Sequence, residues 1–93
     1  MSSPNGLFLT LEGTEGAGKS TNVFRVCQTL DHARIPYIRT REPGGTEMAE
    51  EIRECMLRSR QESVAGLTEL LLVFAARTQH LETVIKPALA EGK

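Results

Sequence analysis

Residues Leu7–Thr21 read LFLTLEGTEGAGKST, and their interpretation decides the fold. Leu7 to Glu12 is a short apolar run that stops at a glycine, the pattern of a buried parallel strand. From Gly13 the chain spells G-x-x-x-x-G-K-[ST], with Gly13, Gly18, Lys19 and Ser20 at the fixed places. Glycines let successive backbone N–H groups turn toward one anion. A helix that starts near Lys19 adds the positive end of its dipole. In such loops the lysine reaches the β- and γ-phosphates of a nucleotide, and the hydroxyl that follows it binds Mg²⁺. The stretch predicts a strand, a phosphate loop and a helix that together hold ATP or GTP with Mg²⁺. Lys19 is the candidate catalytic residue and Ser20 the candidate metal ligand. The acceptor stays open: water would make a hydrolase or switch, a second substrate a kinase.

Working outward, residues 19 to 33 predict a helix, with Val23, Phe24, Cys27 and Leu30 at helical spacing. Residues 37 to 42, entered from Pro36, read as a second, shorter strand. The Pro-Gly-Gly at 43 to 45 is a turn. Thr46 caps a helix that runs to about Leu57, with Met48, Ala49, Ile52, Cys55 and Met56 on one face. Glu47, Glu50 and Glu51 lie early in it, where acids suit the dipole. Residues 67 to 77 predict a third helix, apolar all round over LLLVFAA and therefore largely buried. A fourth covers 80 to 91, where Pro87 kinks it or starts a new segment. This order predicts an α/β fold, a parallel sheet with covering helices.

The 93 residues carry a net charge of -1 and are 40% hydrophobic. That balance suits one small globular domain or part of a larger one, and gives no electrostatic case for nucleic acid or membrane. Cys27 and Cys55 both fall on apolar helical stripes, as reduced buried thiols do. With no basic leader at the N-terminus, the expected setting is cytoplasmic.

Several residues of the second half lack an obvious structural reason. Glu42 and Pro43 follow the second predicted strand, and ligands of parallel sheets sit outside the carboxyl ends of strands. Arg53 lies beside the apolar face of its helix, and Arg77 ends the most apolar helix. Taken singly, each could be a solvated turn residue or a structural ion pair. Together, two arginines near a phosphate-loop rim suit a second phosphate site, because the planar guanidinium fork matches phosphate oxygens. His80 reads as a surface or helix-end residue.

Three segments, LEGTEGAGKST, TREPGGT and FAARTQHLETVIKPAL, in this order, resemble bacterial thymidylate kinases over residues 7 to 92. The resemblance implies a P-loop NTPase-type parallel sheet flanked by helices, present here in part: the first two strands and the helices after them. It implies transfer of the γ-phosphoryl group of ATP to dTMP, with Mg²⁺, in a homodimer that binds neither nucleic acid nor membrane. It assigns Gly13, Thr14, Glu15, Gly16, Ala17, Gly18, Lys19, Ser20 and Thr21 to ATP. It places Glu15 near the dTMP sugar, Glu42 and Pro43 at the nucleoside pocket, and Arg53 and Arg77 on the dTMP phosphate. Two positions depart from the family pattern. Val73 stands where a phenylalanine commonly stacks on thymine, with Phe74 one residue later, a rotation of about 100° on a helix. Gly16 stands where some members carry an arginine. Phe74 remains a candidate substrate residue. Another nucleoside monophosphate kinase, such as a dUMP-preferring one, or a phosphate-loop ATPase or switch, remains an alternative.

The resemblance also implies a further strand, a lid and adenine-contacting segments after residue 93. The expectation is therefore that residues 1–93 form the N-terminal portion of a single kinase domain with no internal boundary. Alone, such a portion is expected to be inactive and poorly stable.

Overall fold

The computed structural model describes residues 6–13 and 18–93. Its elements are α1 (Lys19–His32), α2 (Glu47–Leu57), α3 (Gly66–His80), a π-helical turn (Leu81–Ile85) and α4 (Lys86–Ala90). The chain divides into two compact units, one reaching to Ile38 and including Ala88–Lys93, the other Arg39–Pro87.

The described residues contain no strand, which corrects the expected parallel sheet. Neither residues 7–12 nor residues 37–42 enter a ladder. A strand exists only through a neighbour about 4.8 Å away that accepts and donates its backbone hydrogen bonds. Neither run has such a neighbour among the described residues. Leu7, Phe8 and Leu9 are exposed, as are Ile35 and Ile38. An apolar pattern sets what a segment gains by burial; it does not supply the surface that buries it.

In the first unit, α1 starts and ends close to its expected bounds. Val23, Val26, Cys27 and Leu30 are half-buried, while Phe24 is exposed. The helix closes with two backbone bonds, Ile35 N–H to the Leu30 carbonyl at 2.9 Å and Arg34 N–H to that of Asp31 at 3.1 Å. That is the Schellman pattern, and Arg34 takes the left-handed position, φ 57, where glycine is usual.

In the second unit, α2 packs on α3. Ala49 of α2 and Ala76 of α3 are both fully buried. Thr46 has extended dihedrals and its side chain accepts from Ala49 N–H at 3.0 Å, so the expected cap is in place. Met48, expected on the buried face, is exposed. The expected burial of α3 is also corrected: Leu67, Leu70, Leu71 and Phe74 are exposed, and only Ala76 and His80 of this helix are buried. A helix that is apolar on every face offers more surface than a single partner helix covers.

The helical path widens into the π turn just before Pro87, with Lys86 N–H bonded to the Leu81 carbonyl. Proline has no N–H, and in regular α geometry its ring crowds the carbonyl four residues back, here that of Thr83. The wider turn moves that carbonyl aside.

Replacing Thr46 by Ala removes the acceptor from the α2 N-terminus. It is expected to destabilise the complete gene product by about 1 kcal/mol, with Thr46→Ser close to wild type, as read by chemical denaturation.

Candidate functional site

The segment TREPGGT, residues 40 to 46, is where the sequence-predicted residues converge. It lies wholly within the second unit, and side chains from α2 and α3 hold it at nearly every residue. Glu42 is the hub. Its Oε1 accepts from Arg77 Nε at 2.7 Å, and its Oε2 lies 3.0 Å from His80 Nδ1. Arg77 and His80 are three residues apart on α3, so both present to the same side of the helix. The next peptide, Glu42–Pro43, is cis, and the Pro43 carbonyl accepts from Arg53 Nη1 of α2 at 3.2 Å. The two candidate phosphate arginines, from different helices, are thus tied to consecutive residues of one turn.

Burial pushes the Glu42 carboxyl up, but the hydrogen bonds from His80 and Arg77, with the Arg77 charge, outweigh it and hold it below its ordinary value. An ionised carboxylate only accepts hydrogen bonds, so His80 Nδ1 carries the proton that lies between them. The other ring nitrogen, Nε2, lies 2.6 Å from Thr40 Oγ1. His80 is 1% exposed and both its ring nitrogens have partners. The sequence read it as a surface or helix-end residue; it does end α3, but facing inward, as the most buried polar side chain described. The only signal for it was its i+3 spacing from Arg77, in a last turn, Arg77-Thr78-Gln79-His80, that is polar throughout.

Glu50 locks the other half of the turn. Its Oε2 accepts from Gly45 N–H at 2.8 Å and from Arg41 Nε at 3.1 Å, and its Oε1 accepts from Arg41 Nη2 at 2.5 Å. Dipole reasoning placed Glu50 in the first turn of α2 but missed this reach back past the cap. Gly44 and Gly45 have φ of 138 and 91, conformations that side chains avoid. A Cβ on Gly45 would also run into the edge of the His80 ring and Thr40 Oγ1.

Arg77 binds Glu42 through Nε alone, and its side chain is 50% exposed. Its two Nη nitrogens make no hydrogen bond among the described residues. The guanidinium is therefore fixed at one edge and open at the other. Phe74, three residues before it on α3, is half exposed rather than part of a core. Val73, next to it, is half-buried.

Of the phosphate loop, Thr14, Glu15, Gly16 and Ala17 lie outside the described residues. Gly18 is the N-cap of α1 at φ 79, a left-handed position that accounts for glycine there, since a Cβ would meet nothing. Lys19 Nζ lies 3.4 Å from the Gly13 carbonyl. Lys19, Ser20 and Thr21 are exposed in the first turn of α1. Among the described residues no side chain caps that turn and no acid lies in it. The first turn of a helix leaves N–H groups without intrahelical partners, and its dipole favours an anion there. Among the described residues no group of three or more His, Cys, Asp or Glu could hold a metal ion. No described helix is long and apolar enough to cross a membrane.

Residues 11–93 match the family model described as thymidylate kinase. Among curated relatives, the thymidylate kinase of Marinomonas sp. (strain MWYL1) is 60% identical over 94% of this chain and 41% of its own length. That of Hahella chejuensis (strain KCTC 2396) is 55% identical over 94% of this chain and 42% of its own. That of Ectopseudomonas mendocina (strain ymp) is 59% identical over 94% and 41%. The chain thus spans about two fifths of the length of these relatives, 41 to 42%.

The lock on Glu50 has a pH signature. The hydrogen bond from Arg41, then that from Gly45 N–H, hold its carboxyl at about 2 against an ordinary 4.5. The folded value is the lower one, so its stabilisation is complete above about pH 4.5 and is lost as the pH falls toward about 2. In a carbon-detected NMR titration Glu50 is expected to protonate near pH 2, and Arg41→Met to return the midpoint toward 4.5.

Proposed function

This chain belongs to the thymidylate kinase family, and from that membership we propose that the complete gene product transfers the γ-phosphoryl group of ATP to dTMP, giving ADP and dTDP. The observation that carries the acceptor half is the pairing of Arg53 and Arg77 with consecutive residues of one turn, Pro43 and Glu42. A switch or ATPase needs no such arginine pair at a second phosphate site.

In this reading the open edge of Arg77 and the remaining nitrogens of Arg53 take oxygens of the dTMP phosphate. Fixed guanidinium groups neutralise that phosphate and hold it in one orientation, which is most of what phosphoryl transfer asks of a protein. One phosphate oxygen of dTMP attacks the γ-phosphorus of ATP as the bond to the β,γ-bridging oxygen breaks, and the electron pair leaves with ADP. Lys19 and the first-turn N–H groups of α1 hold the β- and γ-phosphates. Glu15 accepts from a sugar hydroxyl of dTMP. Pro43 and the half-exposed Phe74 flank the base, and the half-buried Val73 packs on it more weakly than an aromatic ring would. Ser20 fits Mg²⁺, a hard cation that takes one or two protein oxygens and completes its shell with phosphates and water. When bound, that ion supplies charge neutralisation at the β- and γ-oxygens.

Arg53→Gln and Arg77→Gln each remove a charge-assisted contact of about 1.5–3 kcal/mol. Each is expected to raise the KM for dTMP roughly 10- to 100-fold while the KM for ATP stays within about twofold, in steady-state assays of ADP formation. Turnover that proceeds equally without any nucleoside monophosphate would instead make the protein an ATPase.

A further inference from the structure

His80 takes no part in the phosphoryl transfer itself, yet it is the most completely enclosed polar group of the second unit. We propose that His80 is a positioning residue for the monophosphate site, which it serves by fixing the Glu42 carboxylate that in turn aims Arg77. This rests on the kinase reading and deepens it.

Each oxygen of Glu42 takes one donor. Oε1 receives Arg77 Nε at 2.7 Å and Oε2 faces His80 Nδ1 at 3.0 Å. The first donor belongs to a half-exposed side chain, the second to a ring that is 1% exposed. With only the arginine, the carboxylate would be free to turn about its last bond, and the arginine with it. The second contact, to a ring that cannot move, removes that freedom. The ring itself is held at its far side by Thr40 Oγ1, 2.6 Å from Nε2. It is also held by the Gly45 backbone, which approaches so closely that a Cβ there would strike the ring. Thr40, Glu42 and Gly45 belong to one short turn, so His80 reads three points of it at once. The consequence is an Arg77 whose free Nη edge has one orientation before any ligand arrives, which spares the ordering cost at binding.

Two isosteric variants separate positioning from mere support. Asparagine places an amide nitrogen near the Nδ1 position and keeps the donor to Glu42. Glutamine reaches the Nε2 position and keeps only the Thr40 contact. In the complete gene product, His80→Gln is expected to raise the KM for dTMP about 10-fold, the value of one lost hydrogen bond to a charged group. Its kcat and its KM for ATP should stay within about twofold, and His80→Asn should remain within about threefold of wild type throughout. Combining His80→Gln with Glu42→Gln should add nothing to Glu42→Gln alone, because both act through the same carboxylate. Equal effects of the two His80 variants, or a loss shared by kcat and both KM values, would overturn the proposal. A variant that does not fold leaves the wild type to decide. There, ¹⁵N spectra should show the His80 proton on Nδ1, with and without dTMP, and an unprotonated Nδ1 would overturn it. Wild-type turnover independent of dTMP would sink the kinase reading instead, a result that the spectra and the KM comparison distinguish.

Discussion

The carboxylate of Glu42 is shared between two residues of α3, and the geometry of the second unit depends on that sharing. Arg77 approaches one oxygen from the solvent side and His80 the other from the interior. Neither contact is strong by itself: a half-exposed ion pair contributes little after screening, and a buried histidine gains only by having both nitrogens satisfied. Together they convert a mobile surface acid into a fixed one. The residues after Glu42 are then constrained as well, since Pro43, Gly44 and Gly45 leave the same point and meet Arg53, Glu50 and the His80 ring in turn.

The turn is held by opposite logic on its two sides. On the α3 side a protein anion organises cations, leaving guanidinium nitrogens open for another anion. On the α2 side Glu50 acts as the anion itself, closing on Gly45 N–H and Arg41. Arg41 thereby gives two of its nitrogens to structure, while Arg53 and Arg77 each give one among the described residues. The charges of Arg41, Arg53 and Arg77 are alike; they differ in the nitrogens already engaged.

The helices were legible because their signals are local. Thr46 and the glutamates after it announce the start of α2, Gly18 and Lys19 that of α1, and Pro87 the disturbance that becomes a π turn. The site was partly legible for a different reason: the Glu42, Pro43, Arg53 and Arg77 chemistry is conspicuous as residue type, although nothing in the spacing says which arginine meets which acid. The burial of His80 was not legible, because a histidine at a helix end looks the same in sequence whether it faces water or a carboxylate 38 residues earlier. Met48 and Leu67 failed similarly, since periodicity marks apolar faces and is silent on whether anything covers them.

The family, the phosphate-loop signature, the Thr46 cap and the spans of α1 and α2 are readable from the residues alone, because they depend on neighbours within a few positions or on motif identity. Contacts between distant segments settle the rest: residues 7–12 and 37–42 stand without ladder partners among the described residues, α3 leaves Leu67, Leu70, Leu71 and Phe74 uncovered, and His80 is interior. Pairing and burial are relations between distant segments. Their free energy depends on which surfaces meet, and a linear pattern gives each segment's capacity to be buried without naming its partner.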